Sequence, residues 1–299
     1  MTHVAVIGVG VMGSAIAARL LDCGMEVTLH NRSRAACLPL GERGAYIADS
    51  AAEASARADF IITSLNGPAI VEQVVFGPGG VAEAATPARL LIDMSTIDPA
   101  ATARMAERLA RETGMKWVDA PLSGGAPAAR EGRLTLMIGG DAPDVARAAP
   151  LLDRLAANRT HMGAVGSGQT VKLINQIICA AAFLSVAEAV RFAEVHGVDA
   201  RLVPAALAGG RADSRIVQEF MAKMAERDYS PTGRIDNMLK DLDMVEGAAL
   251  ARDIPMPLTS LIADLHRTLV ADGYGPCDSA AYMRLFDGHL RGSGREGTE

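Results

Sequence analysis

Three residues in the middle of the chain have the types and spacing for proton chemistry. In Gly166-Ser-Gly168-Gln169-Thr170-Val171-Lys172-Leu-Ile-Asn175-Gln176, Lys172, Asn175 and Gln176 stand at i, i+3 and i+4. That spacing puts an amine and two amides on one face of a helix. The rest of the helix is apolar (Val171, Leu173, Ile174, Ile177, Ile178), an unusual setting for a lysine. Left in water, the three form a polar stripe and nothing more. Turned toward the ligand crevice of a sheet, the amine can exchange a proton with a substrate hydroxyl, and burial disfavours its charged form. Lys240-Asp241, in a later helical stretch, is open to the same two readings. Upstream, Asp119-Ala-Pro-Leu-Ser123-Gly124-Gly125-Ala-Pro127 follows a strand. Its glycines free backbone N–H donors beside the Ser123 hydroxyl, which suits a carboxylate, although the same composition also makes a plain sharp turn.

A second constellation lies at the start. Gly8-Val-Gly10-Val11-Met12-Gly13 comes directly after the run Val4-Ala-Val-Ile7 and opens a helical stretch. In a strand–turn–helix setting the first glycine permits the turn, the second lets a pyrophosphate approach the backbone, and the third lets helix pack on strand. The helix N-terminus then offers free N–H groups and partial positive charge to phosphates. The end of the next strand discriminates between cofactors. An acidic residue about 20 positions past the glycines would accept from a ribose 2′-OH. This chain has His30-Asn31-Arg32-Ser33 instead. Asn31 carries no charge to repel a 2′-phosphate, Arg32 can clamp one with its planar fork, and Ser33 can add a hydroxyl. The other reading has Arg32 merely stacking on adenine while NAD binds. NADP is the expectation, with NAD possible.

These residues need elements to position them. The first half alternates short apolar runs (Val4–Ile7, Glu26–His30, Asp59–Leu65, Arg89–Asp93, Lys116–Asp119, Leu134–Ile138) with helix-forming stretches, the first from Ser14 to Cys23. Such alternation means a mostly parallel, doubly wound α/β sheet covered on both faces. From about residue 164 the pattern changes. Gln169 to His196 reads as one helix of roughly 40 Å at 1.5 Å per residue. Helical stretches follow at about 199–208, 213–227, 236–252, 257–272 and 279–290, then a tail at 292–299. The expected organisation is a dinucleotide-binding domain over 1–163 and an all-α substrate and oligomerisation domain over 164–299, joined by the long helix. At 299 residues the chain is long enough for two such domains.

Composition removes several classes. Apolar residues at 49% and charged residues at 21% are ordinary globular usage, which argues against disorder. With aromatics at only 4%, Ala, Leu, Val, Ile and Met must fill the cores. A net charge of −6 argues against nucleic acid as the partner. The longest strongly apolar stretch, Ile177 to Ala187, is about half of the ~20 residues that cross a bilayer, so no membrane partner is expected. No cationic segment precedes Val4–Ile7, so no leader is expected either. Cys23, Cys37, Cys179 and Cys277 are scattered, with no metal spacing, and read as reduced thiols of a cytoplasmic protein. No carboxylate cluster suggests a metal. The histidines form no triad-like setting, and His161 reads as structural. Glu188 and Glu194 read as solvated or subunit-facing.

With these motifs in this order, the chain resembles the β-hydroxyacid dehydrogenases, among them 3-hydroxyisobutyrate dehydrogenases and tartronate semialdehyde reductases. The resemblance runs from Val6–Gly13 through Asp119–Gly140 and Gly166–Gln176 to Lys240-Asp241-Leu242. It implies a Rossmann-type N-terminal domain, an all-helical C-terminal domain and hydride exchange between a nicotinamide cofactor and a small carboxylate. Lys172 matches the family's proton-transferring lysine, Ser123, Gly124 and Gly125 its substrate-carboxylate loop, and Asn175 the amide that orients substrate, with Gln176 beside it. Ser64, Leu65 and Asn66 match the cofactor loop after the fourth strand, Thr96 a residue near the nicotinamide ribose, and Lys240 a second-domain lysine reaching toward the site. A homodimer or homotetramer is also implied. Asn66 replaces a usual Pro, Ala128 a usual Gly and Arg133 a usual Thr, which leaves the acid open among tartronate semialdehyde, succinate semialdehyde, 3-hydroxyisobutyrate and threonate-like compounds. Arg133 is expected near the substrate entrance or at a subunit contact. Two alternatives stand beside this reading. An imine reductase would share the fold but generally lacks a lysine at the position of Lys172, and a non-catalytic NADP-binding module would not need Lys172, Asn175 and Ser123.

Overall fold

The apolar runs pair side by side in the structure, a computed structural model that describes residues 2–230 and 232–287. The strands β1 (His3–Ile7), β2 (Glu26–His30), β3 (Tyr46–Ile47), β4 (Phe60–Thr63), β5 (Leu90–Asp93) and β6 (Lys116–Asp119) are followed by β7 (Leu122–Ser123), β8 (Leu134–Gly139) and β9 (Ala156–Gly163). They form one sheet in the order β3-β2-β1-β4-β5-β6-β8-β7, with β9 paired to β8. The pairs from β3 through β6 are parallel, whereas β8 runs antiparallel to β6 and β7. Strand order reverses between β1 and β4, and ligands of such sheets gather outside the carboxyl ends of the strands at that point.

Period-two alternation decides which side chain enters which layer. Val4 and Val6 of β1 join Ile62 and Ile92 in a core closed by Ile16 and Leu20 of the first helix. Ala5 and Ile7 face the other way, with Ile61, Leu91 and Trp117, and pack with Val71, Val75, Met105 and Leu109. Both faces are covered, so the strands read as continuous apolar runs.

Several boundaries differ from the sequence reading. The first helix is Val11–Asp22 rather than starting at Ser14, because the chain is extended only as far as Gly10 (φ −80°, ψ −163°). Val11, Met12 and Gly13 therefore form its first turn. The strands β3, β7 and β9 were not anticipated. Two-residue strands leave no periodicity to find, and Ala156–Gly163 is exposed over most of its length, with no apolar alternation; its ladder to β8 holds it extended. The stretch at 199–208 is a short 3-10 turn, Ala200–Leu202, followed by Val203–Leu207. Of the stretch at 279–290 the structure gives Ser279–Met283 and Arg284–Asp287. The remainder, with the 292–299 tail, lies outside the described residues.

The chain divides into two compact units between Lys172 and Leu173. The long helix, Ser167–Val195, thus begins in the α/β unit and continues in the helical one. By length and composition this helix is apolar enough to cross a membrane, which corrects the shorter expectation drawn from Ile177–Ala187. In the helical unit its Ala180, Leu184, Ala187 and Val190 are buried among Met221, Met224, Ile235 and Leu242. Glu194 is not simply solvated or subunit-facing. Arg227 forks between it (2.6 Å) and Asp287 (2.8 Å).

Arg227 and Arg267 test which ion pairs matter. Each engages two or more acids, yet the Arg227 side chain is 28% exposed and that of Arg267 45% exposed. Charge-assisted bonds to a partly buried Arg are worth about 1.5–3 kcal/mol, whereas exposed pairs contribute roughly 0–1 kcal/mol. Arg227→Met should lower the urea midpoint of the helical unit by the larger amount, and Arg267→Met should leave it nearly unchanged.

Candidate functional site

The glycine-rich turn is built as a close contact. Gly8 has φ +95°, and a Cβ there would lie 2.3 Å from the Ser64 carbonyl oxygen; one on Gly13 would lie 1.8 Å from the Gly8 oxygen. A Cβ on Gly10 would meet open space within 4 Å. Two glycines therefore serve packing, and the middle one leaves room beside the first turn of the helix. No side chain caps that helix. Its first N–H groups are donors without an intrahelical acceptor, and Val11 beside them is 78% exposed. The cradle fits a diphosphate.

At the end of β2 the Asn31 side chain serves the backbone. Its Oδ1 accepts from Val9 N at 3.1 Å and its Nδ2 donates to the Ser33 oxygen at 3.0 Å, tying the glycine turn to the 31–33 loop. Arg32 and Ser33 are exposed. Arg34 is taken up by Asp49 at 2.5 Å, whereas Arg32 has no polar partner among the described residues. Arg32 is thus the available cation of this loop.

The loops after β4 and β5 are stitched together from beneath. Leu65 N donates to Ser95 Oγ at 2.9 Å. Asp93 Oδ1 accepts from Thr63 Oγ1 at 2.8 Å and from Ser95 N at 3.0 Å. Ser64, Leu65 and Thr96 are half-buried and Asn66 is exposed above this stitching. Asp93 is fully buried, and its Oδ2 has no hydrogen-bond partner among the described residues. Burial pushes its carboxyl up to about 6, against the pull of the Ser95 and Thr63 donors.

Sequence reasoning quoted Asp119 but gave it no task. The structure gives it one. Its buried carboxylate accepts from Gly166 N at 2.8 Å and from Gln169 N at 2.9 Å, capping the start of the long helix from the end of β6. Burial raises its pKa, and these N–H donors oppose the shift. Gln169, also unassigned from sequence, is fully buried. Its amide donates to the Ser95 oxygen at 2.8 Å and accepts from Ile97 N at 3.2 Å. An acidic residue ending a strand and a glutamine among helix-start glycines were the available signals; neither says what it will meet across about 50 residues of chain.

One turn beyond this cap stands Lys172, only 8% exposed, where a lysine is almost never found without a partner. Ser123 ends β7 half-buried, and Gly124 (φ +125°) and Gly125 (φ +69°) turn the chain into the short helix Gly125–Arg130. Ala128 packs beneath Gly124. Arg133 pairs with Glu131 on the exposed turn after that helix, an intrachain partner the sequence reading had not supplied. His161 binds the carbonyl oxygens of Gly140 and Gly163 at 2.9 Å each.

In the helical unit a polar chain links four residues. Asn175 Nδ2 donates to Gln176 Oε1 at 2.8 Å, Gln176 Nε2 donates to Asp241 Oδ2 at 2.6 Å, and Lys240 Nζ lies 3.0 Å from Asp241 Oδ1. Gln176 and Asp241 are buried while Lys240 is half-buried. Asp241 was named only as the neighbour of Lys240; in the structure it is the junction of this chain.

Comparison with known proteins follows the same two parts. Residues 3–163 match the family described as the NAD binding domain of 6-phosphogluconate dehydrogenase, and residues 166–286 that described as NAD-binding of NADP-dependent 3-hydroxyisobutyrate dehydrogenase. The chain is 36% identical to 2-hydroxy-3-oxopropionate reductase of Escherichia coli over 94% of its own length and 96% of the relative's. It is 33% identical to NAD-dependent L-serine dehydrogenase of Pseudomonas aeruginosa, covering 96% and 98%. The solved structure of Mycobacterium tuberculosis 3-hydroxyisobutyrate dehydrogenase with L-serine matches with a TM-score of 0.86 at 31% identity, over 96% of this chain and 99% of that one.

Asp93 carries a pH prediction. Its carboxyl binds a proton more tightly in the folded chain (about 6) than in the unfolded one (about 3.9). The stability it contributes is therefore full below about pH 4 and is lost as pH rises through about 6. Asp93→Asn, neutral throughout, should remove a fall on the order of 2–3 kcal/mol from a urea-unfolding series across that window. Asp119, shifted the same way, leaves a residual slope. Parallel curves for the two proteins would contradict the assignment.

Proposed function

Because the chain belongs to the β-hydroxyacid dehydrogenase family, whose chemistry is NAD(P)-dependent oxidation and reduction of hydroxyacids, we propose that it moves hydride between NADP(H) and a small β-hydroxyacid or semialdehyde carboxylate, with Lys172 as general acid and base. The observation that carries this reading is the buried amine of Lys172 one turn past the Asp119-capped helix start. When bound, the nicotinamide supplies or accepts the hydride.

The protein's own residues do the rest. In reduction Lys172 Nζ gives a proton to the substrate oxygen as it becomes a hydroxyl; in oxidation the amine takes that proton back. Ser123 and the N–H groups of Gly124 and Gly125 hold the carboxylate. Asn175 orients the hydroxyl-bearing carbon, its amide kept in one rotamer by Gln176, and Gln176 is kept in turn by Asp241. Lys240, paired with Asp241, is assigned to substrate and cofactor by the family resemblance. Gly8, Gly10, Val11, Met12 and Gly13 take the diphosphate, and Ser64, Leu65, Asn66 and Thr96 line the cofactor's nicotinamide half. Preference for NADP rests on Arg32, exposed and without a polar partner among the described residues, beside the neutral Asn31 and the Ser33 hydroxyl. The same reading makes the chain a homodimer or homotetramer, with Phe192, Val195, Val198 and Leu202, all exposed on the helical unit, as contact surface.

Two experiments test this. In a panel of semialdehydes followed by absorbance of the reduced nicotinamide, Lys172→Ala should lose at least 10²–10⁴-fold in kcat, the usual worth of positioned acid–base help, while still binding cofactor. Near-normal turnover in that variant, or a wild-type protein that reduces only cyclic imines, overturns the assignment. Arg32→Ala should lower kcat/KM for NADP by about tenfold or more, the loss of one charge-assisted phosphate contact, and leave that for NAD within about twofold. A wild-type preference for NAD, as in the name of the Pseudomonas relative, would overturn the cofactor reading.

A further inference from the structure

Gln169 does more than fill its place in the core. Its side-chain amide holds two main-chain groups at once, the Ser95 oxygen at 2.8 Å and Ile97 N at 3.2 Å. Those groups flank Thr96, so one amide grips the loop on both sides of the residue assigned to the cofactor. Its own backbone N–H goes to Asp119. Ser95 in turn accepts from Leu65 N and donates to Asp93. A single helical residue is therefore bonded to the ends of β5 and β6 directly, and to the end of β4 through Ser95. Lys172 stands three positions along the same helix, on the neighbouring face position.

We infer that Gln169 is a positioning residue that sets where Lys172 stands relative to the Thr96 loop. The inference rests on the reading of Lys172 as proton carrier. Apolar packing is non-directional and would let the helix turn slide against the loop, whereas a donor and an acceptor held together on one planar amide fix both distance and rotation. Gln suits this task by its chemistry. Asn is a methylene too short, ionised Glu has no hydrogen to offer the Ser95 oxygen, and Met fills the space with neither group. Displacing a proton-transfer group by about 1 Å costs on the order of 10²-fold in rate, so the grip should be visible in turnover.

The test uses the full chain with Gln169→Met and Gln169→Glu. The first readout needs neither cofactor nor substrate. Hydrogen exchange at the segment containing Ile97 should quicken at least about tenfold in Gln169→Met, since its amide loses its acceptor, while amides of β1 and β4 keep wild-type rates. In turnover, Gln169→Met should lose about 10–100-fold in kcat with KM for the carboxylate substrate within about threefold. Gln169→Glu should be comparably slow at neutral pH and recover relative to the wild-type profile as pH falls, because the protonated carboxyl regains a donor toward the Ser95 oxygen. Unchanged exchange at Ile97, kcat within twofold of wild type, or a Gln169→Glu profile parallel to wild type would each overturn the inference. Failure of the functional reading shows separately, as a wild-type protein inert toward every semialdehyde, and the Ile97 exchange then still decides whether Gln169 holds the loop.

Discussion

The α/β unit depends on one buried carboxylate. Asp119 ends β6 in full burial, where an ionised group is costly unless its oxygens are satisfied. Gly166 N and Gln169 N satisfy them, one on each oxygen. The positive end of the long helix lies against the same group, and a carboxylate there is favoured by the helix dipole as well as by hydrogen bonds. The contact admits no slack. A Cβ on Gly168 would come within 2.8 Å of Asp119 Oδ2 and 2.4 Å of the Met137 oxygen. The sheet thus dictates where the helix starts, and the helix start dictates where Lys172 stands.

From that anchor the remaining polar groups follow. The loops after β4 and β5 hang on Asp93, Ser95 and Gln169, all beneath the residues assigned to the cofactor. In the helical unit, Asp241 does for Asn175 and Gln176 what Asp119 does for the helix start: a buried acid fixes the amides above it. In each unit a buried carboxylate fixes polar groups of the long helix, Gln169 N on Asp119 and the Gln176 amide on Asp241. Charged and polar groups held this way are preorganised, which is what electrostatic help to a reaction requires.

Much of the fold was legible because it is periodic. Val4–Ile7, Glu26–His30 and Leu90–Asp93 are short and largely apolar, and a doubly wound sheet is the arrangement that buries such strands on both faces. Gly8, Gly10 and Gly13 could be singled out from their spacing after a strand, but that Gly8 packs on Ser64 while Gly10 faces open space shows only in the fold. What could not be read is what depends on partners far apart in sequence. Ala156–Gly163 is a strand only because β8 offers it a ladder. Gln169 and Asp119 look like ordinary polar residues until the chain brings Ile97 and Gly166 to them. Helical spacing placed Lys172, Asn175 and Gln176 on one face, but the burial of Lys172, and the way Asp241 ties down Gln176, are products of packing.

A double-mutant cycle on kcat, pairing Asp119→Asn with Lys172→Ala, asks whether the carboxylate acts on turnover through the amine. If Asp119 serves to hold the turn that presents Lys172, Asp119→Asn should slow the otherwise intact protein by about tenfold or more and slow Lys172→Ala by less than about twofold, a coupling of the size seen for residues in one network. An equal loss in both backgrounds would mean that the cap and the lysine act independently, and the helix start would then be structure without a part in the chemistry.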